Sequence, residues 1–297
     1  MTDKGKKLRM KLSRGRCIVP WRDAWLKLCC IALALGLVWT ATPVAAQGRL
    51  QADYEATLAG IAVARGTLNL DIGEDQYTAA FNVGSVGVVK LFKSFSWIMS
   101  VRGHVVNGAL FPDSYHLTST TGGETGEVTV TFARGDVKET SIVPEPAAVV
   151  GRIAPTEAQL RGVFDDLTSL SVHVSGNGDV ATASACEPSV PVFSGWLRFD
   201  RKRAFVRLET VEAKGGYHGP VVVCAAHVVP VAGYAPEAFK EVQGARGSEV
   251  AYAPVAGTRI LVPFRITWPT PFGTVEIEAT RFVSSAPPSQ RPPVIAR

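Results

Sequence analysis

A two-residue period in hydrophobicity constrains this chain more than any other feature. Leu50, Ala52, Tyr54, Ala56 and Leu58 interleave with Gln51, Asp53, Glu55 and Thr57. Side chains of an extended strand point to alternate faces, so such a run specifies a strand with one buried face and one wet face. The pattern recurs. Leu68, Leu70 and Ile72 alternate with Thr67, Asn69 and Asp71, and Val128, Val130 and Phe132 alternate with Glu127, Thr129 and Thr131. Ile260, Val262, Phe264, Ile266 and Trp268 form one apolar row; Val275, Ile277 and Ala279 form another. Turn chemistry separates the runs at Ala59-Gly60, Asn107-Gly108, Gly122-Gly123 and Arg134-Gly135-Asp136. Short connections imply antiparallel neighbours, and the spacing predicts about 12–14 strands in one meander. A sheet of that many twisted strands curls.

Two runs depart from simple alternation. Residues 221–226 are apolar at every position, which predicts a strand covered on both faces. Pro263 has no N–H to give to a ladder, so its strand lies at an edge or carries a bulge there.

Three stretches carry helical spacing instead. Val88, Leu91, Phe92 and Phe95 fall at i, i+3, i+4 and i+7, with Lys90 and Lys93 off that face, which predicts an amphipathic helix over residues 86–95. Thr156 and Gln159 have capping-box spacing, and Leu160, Val163, Phe164, Leu167 and Leu170 then give a second stripe. A third patch opens at Pro236 and stops at Gly244.

Residues 1–46 read as a signal peptide. Lys4, Lys6, Lys7, Arg9, Lys11, Arg14 and Arg16 precede an apolar run over residues 26–40, and Val44-Ala45-Ala46 has the small-x-small pattern of a cleavage site. A membrane anchor needs about 20 apolar residues, and this run is shorter, so no stable transmembrane anchor is expected after cleavage. The segment holds nine of the 31 Lys and Arg and two of the 26 Asp and Glu, leaving 22 bases against 24 acids. The basic balance of the whole chain is therefore a targeting feature and gives no nucleic-acid footprint. Residues 47–283 then form one β-domain. Residues 284–297, with Pro287, Pro288, Pro292 and Pro293, read as a flexible tail.

Of five cysteines, Cys17, Cys29 and Cys30 leave with the signal peptide, and Cys186 and Cys224 remain. An even pair in an oxidising compartment reads as a structural disulfide.

Motifs for chemistry are sparse. The sequence after residue 46 holds no Gly-x-Ser-x-Gly, phosphate-binding glycine loop, His-Glu-x-x-His or Cys-x-x-Cys. His104, His116, His173, His218 and His227 never fall at metal-ligand spacing, so neither a metal nor a cofactor is expected. Asp165 and Asp166 are neighbours that would face apart on a helix, and they read as solvated helix surface. The cluster Arg198, Arg201, Lys202, Arg203 and Arg207 reads as a solvated hairpin balanced by Asp200 and Glu209, with lipid or sugar phosphates as the alternative. Arg259, Arg265 and Arg281 lie near apolar rows and need a carboxylate or a bound anion. With Arg198 they are the candidate anion contacts.

Several blocks together resemble the DUF3108 family of exported bacterial proteins: Tyr54-Glu55-Ala56 with Leu58-Ala59-Gly60-Ile61 and Gly66-Thr67-Leu68; Cys186 with Pro191-Val192-Phe193-Ser194-Gly195 and Arg198-Phe199-Asp200; Tyr217-His218-Gly219-Pro220; and Pro254-Val255-Ala256-Gly257-Thr258-Arg259 through Thr270-Pro271-Phe272-Gly273-Thr274. The resemblance spans about residues 50–283, departs at Ser194 where an aspartate is expected, and implies no catalytic residues. It implies an all-β fold built on a single long, strongly curved antiparallel sheet, an incomplete barrel or β-spiral with two or three short helices. The LolA and LolB lipoprotein carriers and envelope-integrity β-spiral proteins are its analogues at the level of fold alone.

The functional expectation is a non-enzymatic periplasmic binding or scaffold protein supporting the cell envelope. Its partners would be a lipid or lipoprotein acyl chain, or an envelope protein. Val88, Leu91, Phe92 and Phe95 are the expected lid of an apolar cleft, with Phe264 and Trp268 in its wall. A purely structural partner in an envelope complex, and an enzyme acting on envelope glycans or lipids, are the alternatives.

Overall fold

The computed structural model describes residues 47–286 except residues 88, 93, 147 and 188, and leaves the side chains of Leu91 and Phe92 undescribed. The signal-peptide expectation for residues 1–46, and the tail from residue 287 onward, lie outside the described residues.

Alternation becomes strands, as the sequence implies. They run β1 (Gly48–Leu58), β2 (Ile61–Ile72), β3 (Gln76–Ser85), β4 (Phe95–Val106), β5 (Ala109–Thr121), β6 (Glu124–Ala133) and β7 (Asp136–Val143). They continue with β8 (Val172–His173), β9 (Val190–Phe193), β10 (Arg198–Glu212), β11 (Gly215–Gly216), β12 (His218–Ala232), β13 (Ser248–Pro254), β14 (Ile260–Thr270) and β15 (Gly273–Ser285). All join one sheet in the order β7-β6-β5-β4-β3-β2-β1-β15-β14-β13-β12-β10-β9, with β8 on β14 and β11 on β15. The pairing is antiparallel throughout except for the two-residue β11–β15 contact. β7 and β9 end the order without pairing each other, so the sheet is not closed into a barrel.

Register carries the apolar rows straight across the strands. Leu50, Leu70, Ala79, Val101, Tyr115 and Val130 are successive cross-strand partners from β1 to β6. All six are buried in the main core. A parallel row runs from Ala52 through Leu68, Phe81, Met99 and Leu117 to Val128. A one-residue slip at any strand would expose every apolar side chain on it, which is why this register is held so uniformly. Gly103 must be glycine for the floor to form: a Cβ there would lie 2.1 Å from Phe111 O and 2.4 Å from Tyr77 Cε1. Its absence lets the Tyr77 ring lie across β4.

Pro263 sits at a bulge, as its missing N–H demands. Tyr252 pairs with Pro263 while Ala251 pairs with Arg265, leaving Phe264 as the extra residue. Past it, β14 keeps β13 on one side and takes β8 on the other, and β11 pairs with β15 at Arg281 and Phe282. The bulge turns Phe264 into the core, where its ring centroid lies 5.8 Å from Phe282 and 6.4 Å from Tyr217.

Val221, Val222, Val223 and Cys224 are buried on both faces as expected, while Ala225 and Ala226 are half-buried. Val221 and Val223 belong to the main core; Val222 and Cys224 belong to a second cluster with Val172, Val174, Ala185, Tyr252 and Leu261. Cys186, at the end of the 3-10 turn Ala183–Cys186, is bonded to Cys224 inside that cluster.

The helical stripes fare differently. α2 (Pro236–Gly244) forms where Pro236 and Gly244 place it. The helix expected over residues 86–95 is only α1 (Val89–Phe92). Val86 N–H bonds to Val63 O, Gly87 takes φ +59°, and Phe95 opens β4 with its N–H on Ser85 Oγ. The stripe over residues 160–170 is not a helix. The 3-10 turns Glu157–Leu160 and Thr168–Leu170 flank it, separated by bends and a single bridge at Phe164. There Gly162 takes φ +63°, Val163 N–H bonds to Gly135 O, and Phe164 bridges Val192.

Candidate functional site

A partly enclosed apolar cavity of about 180 Å³ lies against the inner face of the sheet. Its floor is the apolar side of β1 to β5: Tyr54, Leu68, Leu70, Tyr77, Ala79, Phe81, Met99 and Leu110. Val262, Pro263 and Ile266 of β14 with Ile277 of β15 form one wall, and Asp166, Leu167, Thr168, Leu170 and Ser171 form the roof. The alternation that builds the sheet thus also lines the cavity with hydrocarbon.

Hydrogen bonds at the rim hold this arrangement. Tyr54 donates its hydroxyl hydrogen to Pro263 O at 2.7 Å, tying β1 to the bulged strand. Burial raises the Tyr54 phenol above its ordinary pKa, so it stays a donor across the working pH range. The Tyr77 hydroxyl and Thr168 Oγ1 lie 2.7 Å apart and join floor to roof.

The roof is organised by Asp165, which is 0 % exposed. Its Oδ1 accepts the backbone N–H groups of Leu167 and Thr168, each at 2.9 Å, and so initiates the turn Thr168–Leu170. Asp165 is therefore not the solvated helix residue that the sequence suggests. Burial pushes its carboxyl up to about 6, against the lowering effect of those hydrogen bonds. Asp166, at the cavity rim, pairs with Arg201 Nη2 at 2.8 Å.

A second cavity of about 150 Å³ adjoins the first and shares Leu110, Thr168 and Ser171 with it. Phe111, Phe164, Val190 and Ile260 supply apolar lining, while Arg203 and His173 supply nitrogen. Arg203 is 8 % exposed and Arg198 9 %, so the basic cluster on β10 is not a uniformly solvated hairpin.

Among the described side chains, three of the expected site residues lie away from the cavity. Phe264 is fully buried in the main core, and Trp268 lies farther along β14; neither lines the cavity. Phe95 is the first residue of β4, its ring 5.5 Å from Trp97. Val88 lies outside the described residues, as do the side chains of Leu91 and Phe92. Among the described residues the cover comes from Asp166, Leu167, Thr168, Leu170 and Ser171.

The four arginines considered as anion contacts are dispersed and engaged internally. Arg198 donates to Asp200 Oδ1 and Phe199 O, each at 2.7 Å, and to Gln159 O at 2.9 Å. Arg259 donates to the carbonyls of Val174 and Gly178 at 2.6 and 2.8 Å. Arg265 pairs with Glu209, with Glu278 at 3.9 Å, and Arg281 lies 4.0 Å from Asp53. Among the described residues no three His, Cys, Asp or Glu side chains come together as a metal site. No helix among them is long and apolar enough to cross a membrane.

A beta-barrel-like protein of the DUF1849 domain from Brucella abortus has a similar structure, with a TM-score of 0.44 and 9 % identity. The match covers 80 % of this chain and 98 % of that one. No curated protein sequence matches the chain. The family model for the protein of unknown function DUF3108 matches residues 53–280, and the chain belongs to that family.

Proposed function

We propose that this is a non-enzymatic binding protein of the cell envelope that holds an acyl chain in the cavity between the inner sheet face and the 166–171 roof. The observation that carries this reading is the cavity itself: about 180 Å³, partly enclosed and lined almost wholly by carbon. An apolar cavity of about 150 Å³ is enough to take up benzene. By that scale this one accepts about six to eight chain carbons, with a longer chain leaving by the open side. At about 0.8 kcal/mol per methylene, their burial contributes about 5–6 kcal/mol before the cost of immobilisation.

Two features support action after export. Residues 1–46 have the charge, apolar run and small-x-small end of a signal peptide. The disulfide Cys186–Cys224 suits an oxidising compartment. Asp165 lines neither cavity and spends one oxygen on the roof turn, which supports a structural role for the one described carboxyl raised to about 6.

The test is solvent extraction and mass spectrometry of lipid carried by protein purified from the exported fraction. Wild type is expected to carry acyl species in roughly stoichiometric amount. An Ala79→Phe variant, which fills the floor, is expected to carry none. Equal lipid on both variants, or none on either, overturns the reading.

A further inference from the structure

We propose that one end of the sheet, formed by the β1–β2, β3–β4, β5–β6 and β14–β15 connections, docks on an anionic lipid bilayer, with Ile61, Trp97 and Phe272 entering its interface. This goes beyond the cavity reading and does not depend on it.

The antiparallel order brings these connections to the same end, and backbone hydrogen bonds tie them to their neighbours. Ala59 N–H donates to Thr274 O at 3.0 Å, Val86 N–H to Val63 O at 2.9 Å and Gly122 N–H to Ser94 O at 3.0 Å. Large apolar side chains stand out from this end. Phe272, in the turn between β14 and β15, is 81 % exposed. Ile61, which opens β2 beside the Ala59-Gly60 turn, is 61 % exposed, and Trp97 near the start of β4 is exposed as well. Trp97 lies two residues from Met99, so it stands on the same face of the sheet as the cavity floor. Apolar side chains gathered at one protruding end mark an interaction surface.

Charge selects the partner. Residues 56–64, 83–99, 119–123 and 268–275 contain Lys90 and Lys93 and no other charged residue. Lys90 is exposed on α1. The opposite end of the sheet is acidic by contrast, with exposed Glu74 and Asp75 between β2 and β3 and Asp136 at the start of β7. Lysine is depleted from the apolar centre of protein interfaces. A bilayer surface accepts both groups: indole and phenyl rings sit at headgroup level, and anionic headgroups attract the lysines. Apolar tips with lysine and without acid therefore fit anionic lipid better than a second protein.

Flotation of protein from the exported fraction with phosphatidylglycerol vesicles and with phosphatidylcholine vesicles tests this. Wild type is expected to bind the anionic vesicles about tenfold tighter than the neutral ones, and to lose that preference as salt is raised. The double variant Ile61→Ser with Phe272→Ser is expected to bind phosphatidylglycerol at least tenfold more weakly, with an unchanged circular dichroism spectrum. Lys90→Gln provides a second variant, expected to weaken binding to phosphatidylglycerol by about fivefold and to leave phosphatidylcholine unaffected. No binding of wild type to phosphatidylglycerol, equal binding to the two lipids, or equal binding by the folded double variant overturns the proposal. A wild-type dimer that the double variant disperses also overturns it, because the same end would then be an interface between two copies of the chain.

Discussion

The Tyr77 hydroxyl lies 2.7 Å from Thr168 Oγ1, so a ring rooted in β3 grips the segment that roofs the cavity. Tyr77 reaches it because Gly103 on the next strand leaves room for the ring. Both hydroxyl-bearing residues are buried, Tyr77 at 1 % and Thr168 at 5 % exposure. Neither group has water to fall back on.

Tyr77→Phe removes that contact and leaves the Thr168 side chain with the Asp165 carboxyl as its partner. The expected loss is about 1–2 kcal/mol in urea unfolding. Amide exchange at residues 166–171 should accelerate by more than exchange in β3 and β4, because the lost bond holds the roof and not the sheet. Uniform acceleration across all three would show that the roof is not separately hinged on this bond.

Asp165 makes stability depend on pH with a definite sign. Its folded carboxyl titrates at about 6 against 3.8 for the free group, so the folded state binds the proton more tightly than the unfolded state. That contribution is fully present below about pH 4 and is lost as pH rises to about 6, at a total of about 3 kcal/mol. Other carboxylates titrate in the same window, so the comparison is between wild type and Asp165→Asn. Relative to the variant, wild type should lose stability from pH 4 to pH 7 and change little above it. A difference independent of pH contradicts this assignment.

The strands were legible because alternation survives folding with little alteration. In β1, β2 and β6 the alternating apolar residues Leu50, Leu70 and Val130 are the ones in the core. Pro263 announced its bulge through the missing N–H, and the unbroken apolar run announced the two-sided cover of Val221, Val222, Val223 and Cys224. The roof was not legible. Leu160, Val163, Phe164, Leu167 and Leu170 are spaced three and four apart, which suits a helix equally well. Three facts defeat it. Gly162 turns left-handed, Asp165 takes backbone N–H groups that a helix would use, and Phe164 pairs with Val192 far along the chain. Only the pairing is nonlocal; Gly162 and the adjacent acidic pair inside the apolar stripe were the sequence signals available. On β14, Phe264 packs in the main core with Ile260 and Val262, and Val262, Pro263 and Ile266 line the cavity.

The Cys186–Cys224 bond closes a separation of 38 residues and lies wholly inside the second cluster. Cys224→Ser is expected to cost about 2–5 kcal/mol, measured by urea unfolding against oxidised wild type. Maleimide should label neither cysteine in denatured, unreduced wild type from the exported fraction, and both after reduction. Labelling of both before reduction would show that the bond does not form in the cell.

A binding isotherm for dodecanoate, recorded by displacement of a fluorescent fatty acid from wild type and from Ala79→Phe, decides whether the cavity is a ligand site. Ala79 lies on the floor beside Leu70 and Val101, so a phenylalanine there occupies the space with minimal effect on the outer sheet face. Saturable binding near one site per chain is expected for wild type, with at least a tenfold loss in the variant and an unchanged circular dichroism spectrum. Absence of saturable binding by wild type, or equal binding by a folded Ala79→Phe variant, would contradict an acyl-chain site between the sheet and its roof.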